Sequence, residues 1–224
     1  MYRIGQEELA ELGKVISARD LFKINDGLRE SEQVEAKLKD MFGCKYPVFL
    51  SSGHAALTSA LVAMGIGPGD EVIVPAYTYI ATAMAVVASG AIPIIAEVDD
   101  TLTISPEDIR KKISKHTKAI IPVHIQGFPC NMEAIMDIAK EHNLFVLEDA
   151  CQSDGGSFDG KRLGTIGDAG ALSFNCFKII SCGEGGALLT NNRALFEKAL
   201  IYQDSSAVAF FVRPLPASAA VLWQ

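Results

Sequence analysis

Residues 131–149 read NMEAIMDIAKEHNLFVLED and predict a helix that leads directly into a buried strand. Asn131 is a favourable N-cap, and Ile135 and Ile138 recur at the spacing of one helix face. The run at residues 144–147 is continuously apolar, which is typical of a strand that is covered on both faces. The stretch therefore predicts one helix–strand unit of an α/β fold.

The same alternation continues toward the N-terminus. Residues up to about 42 have apolar side chains at helical spacing. Further apolar runs then predict strands at residues 48–50, 71–74, 92–96 and 119–125. Strands of this kind, separated by helices, indicate an α/β fold whose mostly parallel sheet is flanked by helices on both faces.

Composition excludes several classes of protein. The chain has 224 residues, of which 49% are hydrophobic and 21% charged, and its formal net charge is −7, which argues against a nucleic-acid partner. No apolar run approaches the ~20 residues that span a bilayer, and the first residues lack the pattern of a signal peptide. The five cysteines form no C-x-x-C pair and the four histidines lie far apart. We therefore expect a reduced, cytoplasmic protein without a metal or membrane partner.

Three segments have residue types suited to chemistry, and the first is LSSGHAAL at residues 50–57. A strand here ends in small residues, and a helix begins with backbone amides at its N-terminus. Such amides and the helix dipole favour a bound anion, so the start of this helix is a candidate for binding a phosphate group. The alternative is a tight strand-to-helix turn with no ligand.

The second segment is LEDACQS at residues 147–153, where an apolar strand terminates in two carboxylates. Ligands of open α/β sheets bind at the carboxyl ends of the strands. A carboxylate at this place can hold a cationic nitrogen, because an opposite charge favours the protonated form. It can equally be a helix cap.

The third segment is ALSFNCFKII at residues 171–180, which contains Lys178 among apolar neighbours. Lysine is rarely buried without a partner, and desolvation of its amine favours the nucleophilic, neutral form. An apolar, buried setting for a reactive Lys178 is one of two equally open interpretations. The alternative is a structural lysine whose stem packs while its ammonium group reaches solvent.

Together these segments match the groups that anchor pyridoxal phosphate. That cofactor requires a lysine for its aldehyde, an acid for its pyridine nitrogen and donors for its phosphate. A flat side chain against the ring is also needed, and the segment PAYTY at residues 75–79 offers two tyrosines after another predicted strand.

In order and spacing, these segments resemble the DegT/StrS-type sugar aminotransferases, which are pyridoxal-phosphate enzymes of fold type I. The similarity extends from about residue 4 to residue 203. Its most specific blocks are residues 51–57, 75–82, 148–152, 164–170 and 173–186. The resemblance implies a mixed, mostly parallel sheet of seven strands.

The resemblance also implies a domain organisation. Residues 1–206 would form the large, cofactor-binding domain of the family. Residues 207–224 look unlike the expected continuation, so we expect a divergent or truncated tail there and a small C-terminal domain that is largely missing.

Seven residues match positions that bind the cofactor in this family. They are Lys178 for the aldehyde, Asp149 for the pyridine nitrogen, Gln152 beside the ring oxygen, Tyr79 on the ring face, and Gly53, His54 and Ser173 for the phosphate. Lys178 and Asp149 would also be the catalytic residues. His54 replaces a more usual threonine or serine, and Tyr79 rather than Tyr77 matches the stacking position.

The implied activity is transfer of an amino group from glutamate or glutamine to a keto-sugar or cyclic ketone, in nucleotide-sugar, polysaccharide or antibiotic-sugar biosynthesis. Lysine at position 178 favours aminotransfer, because the sugar dehydratase branch of the family has histidine there. The implied assembly is a homodimer. Two alternatives stay open: a truncated cofactor-binding remnant or regulatory protein without turnover, and an α/β protein without a cofactor.

Overall fold

Helices and strands alternate along most of the chain in the computed structural model, which describes residues 4–21 and 27–204. The helices are α1 (Gln6–Ala18), α2 (Glu30–Phe42), α3 (Gly53–Ala63), α4 (Ala81–Ala88), α5 (Pro106–Lys112), α6 (Met132–His142) and α7 (Arg193–Gln203). The strands are β1 (Tyr46–Leu50), β2 (Glu71–Pro75), β3 (Ile92–Ala96), β4 (Thr117–Ile120), β5 (Phe145–Asp149), β6 (Ser157–Phe158), β7 (Lys161–Arg162), β8 (Ala169–Ser173) and β9 (Gly186–Thr190).

Seven of the strands form one sheet in the order β1-β9-β8-β5-β4-β2-β3, and β6 and β7 form a separate hairpin. The pairs from β8 to β3 are parallel, whereas β9 is antiparallel to both β8 and β1. Six strands therefore end at the same edge of the sheet, and β9 starts there. The prediction of a mixed, mostly parallel sheet is confirmed.

Burial of the central strands explains their apolar sequences. Every residue of β8 and β9 is buried, as are the last four residues of β5. Helix α3 packs on these strands between α4 and α7, while α6 packs on β5 beside α5. Because α3 is covered nearly all round, most of its residues are buried. The tightly packed helix α3 therefore supports the edge of the sheet that lies beside its N-terminus.

The predicted strand at residues 119–125 is wrong in its second half, because β4 ends at Ile120. Pro122 has no backbone N–H to donate to a neighbouring strand. Its carbonyl still accepts a hydrogen bond of 2.9 Å from Asp149 N, so the chain stays beside β5. A short 3-10 helix, Ile125–Gly127, follows and places its backbone at the sheet edge.

The described ranges, residues 4–21 and 27–204, contain no helix with the length and apolar character that a bilayer crossing requires. The predicted domain limit at residue 206 and the predicted tail at residues 207–224 lie outside the described residues.

Candidate active site

A cavity of about 520 Å³ opens at the edge of the sheet where the parallel strands end. Its walls come from the start of α3, the ends of β5 and β8, the loop before α4 and the loop between β8 and β9. The seven residues predicted from the sequence all line it: Gly53, His54, Tyr79, Asp149, Gln152, Ser173 and Lys178. The fold therefore brings together segments that are distant along the chain.

Two backbone amides at the start of α3 face no acceptor within the described part of the chain. The N-cap Ser52 accepts from Ala55 N through its hydroxyl, at 3.0 Å, and its carbonyl accepts from Ala56 N, also at 3.0 Å. The amides of Gly53 and His54 are thereby left for a ligand. Both residues and the hydroxyl-bearing Ser173 line the cavity. We call these three groups the anion site, because free amides at a helix N-terminus favour negative charge.

The anion site depends on a close approach of α3 to β8. A Cβ atom added to Gly53 would lie 2.8 Å from Cys151 Sγ and 2.9 Å from Ser173 Cβ. Both distances are too short for a stable contact. Glycine at position 53 therefore lets the helix start lie directly against the Ser173 side chain.

Asp149 is the last residue of β5 and is 6% exposed. Its Oδ2 accepts a hydrogen bond of 2.7 Å from Thr82 Oγ1, and its Oδ1 accepts one of 3.2 Å from Cys151 N. Thr82 Oγ1 also lies 2.7 Å from Thr78 Oγ1. Since the Thr82 proton goes to the carboxylate, Thr78 donates to Thr82. The Asp149 carboxylate is thus fixed in position in the cavity wall.

The adjacent carboxylate, Glu148, belongs to the structure of the fold rather than to the cavity. Successive residues of a strand point to opposite faces of the sheet, so Glu148 points away from the face of Asp149. Its side chain is fully buried there. Its oxygens accept hydrogen bonds from four donors: Gly164 N (2.8 Å), Ile166 N (2.6 Å), Gly167 N (2.7 Å) and His124 Nε2 (3.0 Å). Glu148 therefore ties the segment before β8 to the end of β5.

His124 takes part in this network as a neutral imidazole. Cys130 N donates a hydrogen bond of 3.1 Å to His124 Nδ1, so Nδ1 is an acceptor. The ring proton is therefore on Nε2, which donates a hydrogen bond to Glu148. Both side chains are completely buried. Hydrogen bonds on the opposite face of the sheet therefore stabilise the end of β5, where Asp149 lies.

Replacing Glu148 with alanine should lower the free energy of unfolding by roughly 3–5 kcal/mol, because His124 and the Gly164 amide would remain buried without an acceptor, and the half-buried amides of Ile166 and Gly167 would lose theirs. Urea denaturation followed by circular dichroism measures this change. Glu133→Ala, on the exposed side of α6, is the matched control and should shift the midpoint little. Equal losses for the two variants would contradict the structural role of Glu148.

Lys178 lies in the loop between β8 and β9, and its side chain is not enclosed by the apolar residues that flank it in the sequence. Strand β8 ends at Ser173, and from Asn175 onward the loop is only partly covered by the described chain. Phe177 is 89% and Ile179 78% exposed, whereas Lys178 itself is half-buried. Its backbone N–H donates to Asn175 O at 2.9 Å, closing a turn. The turn, rather than an apolar environment, places the amine at the cavity.

Three further predicted residues complete the wall. Tyr79 lines the cavity although it is 68% exposed, and Tyr77 is absent from the lining. Gln152 Oε1 accepts a hydrogen bond of 3.0 Å from Gln126 N, which leaves the amide nitrogen of Gln152 as its free polar end. His54 is half-buried.

Sequence reasoning missed the partners of these residues. Thr82 binds Asp149 across 67 positions of sequence, and no local pattern links the two. Asn175 and Glu184 also line the cavity, joined by a 2.7 Å hydrogen bond from Asn175 Nδ2 to Glu184 Oε1. The position of Thr82, near the start of the helix that follows PAYTY, is the feature of the sequence that could have indicated a place at the cavity.

Comparison with known proteins gives a consistent result. A model of the DegT/DnrJ/EryC1/StrS aminotransferase family matches residues 3–211. The GDP-perosamine synthase of Escherichia coli O157:H7 is 43% identical over 173 residues, which cover 77% of this chain and 48% of that protein. The X-ray structure of an aminotransferase from Psychrobacter cryohalolentis has a TM-score of 0.87 at 36% identity, covering 96% of this chain and 55% of that chain.

A second solved structure, that of ntda from Bacillus subtilis with bound cofactor PMP, has a TM-score of 0.78 at 37% identity and covers 89% of this chain and 45% of that chain. The chain spans about half the length of the curated relatives it matches. The family match extends over most of the sequence and agrees with the fold. The chain belongs to the DegT/DnrJ/EryC1/StrS aminotransferase family.

Proposed function

We propose that this chain forms the pyridoxal-phosphate-binding part of a sugar aminotransferase. The observation that carries the proposal is the content of one cavity. A free helix N-terminus, a buried carboxylate fixed by Thr82, and a lysine amine line the same space. A cofactor with a phosphate, a basic ring nitrogen and an aldehyde has one partner for each of these groups.

The residues present fit this cofactor. The anion site offers two backbone amides and the Ser173 hydroxyl, which suit a phosphate group without a charged side chain. Asp149 would hold the ring nitrogen in its protonated form, since its two oxygens are already oriented by Thr82 and Cys151. Tyr79 would lie against the ring face, and the free amide nitrogen of Gln152 would donate to the ring oxygen.

Pyridoxal phosphate, when bound, supplies an electron sink that stabilises negative charge at the carbon bearing the amino group. Lys178 would hold the cofactor aldehyde through its amine. Once released, Lys178 Nζ would take a proton from the carbon of the amino donor and return it as a general acid. Asp149 would keep the proton on the ring nitrogen throughout.

The proposed acceptor is a nucleotide-linked keto-sugar, and the proposed donor is glutamate or glutamine. Support for the acceptor comes from the relatives, three of which are GDP-perosamine synthases and one a spore coat polysaccharide biosynthesis protein. The proposed setting is polysaccharide or nucleotide-sugar biosynthesis in the cytoplasm. Lysine at position 178 supports aminotransfer over dehydration.

We also propose a homodimer. Large apolar side chains are exposed around the cavity mouth and beside it, namely Tyr79, Ile80, Phe177 and Ile179. Several large apolar side chains exposed near a cavity are consistent with an interaction site. Light scattering of the purified protein would give the mass of a dimer if the proposal holds, and that of a monomer if it does not.

A second candidate is a cofactor-binding protein without turnover. The observation in its favour is the open cavity mouth, because Phe177 and Tyr79 are exposed and do not exclude water from Lys178 within the described residues. Reactions of this kind benefit when water is excluded from the site. The two candidates share the cofactor and differ in product formation.

Incubation of the purified protein with pyridoxal phosphate, glutamate and a GDP-linked keto-sugar separates the candidates. Mass spectrometry of the products should show an aminated sugar nucleotide together with 2-oxoglutarate. The same mixture with D-glutamate is the control for the donor. Cofactor binding without an amine product would favour the second candidate, and absence of both would contradict the proposed function.

Replacing Gly53 with alanine should weaken cofactor binding at least about tenfold, which is about 1.4 kcal/mol. The new methyl group would push the start of α3 away from Cys151 and Ser173 and so distort the anion site. Titration of pyridoxal phosphate, followed by absorbance, measures the affinity. Gly13→Ala is the matched control, because a Cβ there meets no atom within 4 Å. Unchanged affinity in Gly53→Ala would contradict the assignment of the anion site.

A further inference from the structure

Asp154 lies in the loop that follows β5, and its Oδ1 atom is buried without a hydrogen-bond partner in the described part of the chain. It lines a second cavity of about 230 Å³ together with Lys178. Cys151, Gln152, Phe177 and Lys178 line both this space and the main cavity, so the two adjoin. We call the second space the rear cavity. Lys178 thus lies between the anion site and the half-buried Asp154, one of whose carboxylate oxygens is buried.

The charge state of Asp154 is governed by this setting. Burial raises the pKa of Asp154 to about 6, while the positive charge of Lys178 and the backbone N–H of Ile180 act to lower it. At neutral pH the side chain is therefore mostly ionised. A buried carboxylate oxygen without a hydrogen-bond donor is unfavourable for folding, which makes a purely structural role for Asp154 a poor explanation.

Other titratable groups near Asp154 do not compete for this carboxylate. Cys151 shares the rear cavity, and Lys37 and Cys182 share an apolar cavity on another side of Asp154. Burial raises the pKa of both thiols, so they are neutral at neutral pH. Lys178 is the cation whose charge lowers the pKa of Asp154.

We propose that Asp154 is a positioning residue for Lys178, holding its ammonium group in the rear cavity whenever the amine is not bonded to another group. The lysine side chain then has a defined place beside the main cavity. Loss of the negative charge would leave the ammonium group without this partner, so the amine would be free to meet a reagent in the main cavity. The importance of this role for Asp154 rests on the proposed function, in which Lys178 is the reactive lysine. The physical argument for the interaction between Asp154 and Lys178 does not depend on that function.

The test measures the reactivity of Lys178 in the full chain after removal of any cofactor with hydroxylamine. Acetic anhydride is the probe, and mass spectrometry gives the rate of acetylation at each lysine. At neutral pH, Lys178 should be acetylated about tenfold faster in Asp154→Asn than in the unmodified sequence. Asp159→Asn, on the exposed turn of the β6–β7 hairpin, is the matched control and should leave the rate unchanged.

The pH profile provides a readout that a structural role would not give. The rate ratio between Asp154→Asn and the unmodified sequence should fall toward one as the pH drops below about 6, where Asp154 is protonated. In the unmodified sequence alone, Lys178 should be protected relative to Lys161 above this pH and lose that protection below it, which needs no variant.

An equal acetylation rate in both proteins at neutral pH would overturn the proposal. So would a ratio that stays constant through pH 6. None of these readouts involves pyridoxal phosphate, so failure of this inference and failure of the proposed function are distinguishable.

Discussion

Lys178→Ala should reduce transamination by at least about a thousandfold, because general acid–base catalysis by one side chain contributes roughly 10²–10⁴ in rate. The variant also lacks the amine that would bind the cofactor aldehyde. The turn from Asn175 to Lys178 uses backbone atoms, so the loop should keep its conformation. Single-turnover conversion of glutamate to 2-oxoglutarate by the loaded protein measures the effect.

Two controls sharpen this prediction. Lys178→Arg preserves the positive charge but cannot form the covalent bond, and it should be as inactive as the alanine variant. Lys161→Ala changes an exposed lysine of the β6–β7 hairpin and should retain full activity. Because the anion site does not include Lys178, both position-178 variants should still bind pyridoxal phosphate non-covalently. Wild-type turnover in Lys178→Ala would contradict the assigned role.

Asp149→Asn should lower kcat roughly 10²–10³-fold, the range measured when one preorganised electrostatic contact is removed from an active site. The amide has nearly the same shape and can still accept from Thr82 or Cys151, but it carries no charge to hold a proton on the ring nitrogen. Affinity for the cofactor should fall much less than kcat, since the anion site is unchanged.

The partner of Asp149 allows a graded comparison. Thr82→Val removes the 2.7 Å hydrogen bond to Oδ2 but leaves the carboxylate charge, so kcat should fall less than in Asp149→Asn. Asp137→Asn, on the exposed side of α6, is a matched surface control. Steady-state kinetics with separate kcat and KM values decides the matter. A larger loss in Thr82→Val than in Asp149→Asn would show that the charge is not the property that counts.

The fold was predictable because its central strands are buried on both faces. Strands such as β5 and β2 contain continuous apolar runs, and the helices between them have polar and apolar faces or clear caps, as at Asn131. Pro122 limited this reasoning, since an apolar run without a donor at one position cannot continue as a regular strand.

The residues that line the site were predictable from the sequence, but their surroundings were not. Residues that end parallel strands meet at one edge of the sheet, which is why Asp149 and Ser173 line one cavity with the start of α3. The surroundings of Lys178 were not predictable, because residues that are apolar neighbours in the sequence, such as Phe177, are exposed in a loop. Contacts across long separations, such as Thr82 to Asp149 and Glu148 to Gly164, leave no local pattern in the sequence.

The central claim is that Lys178 binds the aldehyde of pyridoxal phosphate within this cavity. The most direct measurement is borohydride reduction of the protein after incubation with the cofactor, followed by proteolysis and mass mapping of the modified peptide. We expect one modified residue, Lys178, and loss of the modification when excess inorganic phosphate competes for the anion site. Modification at a different lysine, or none at all with the cofactor bound, would contradict the account.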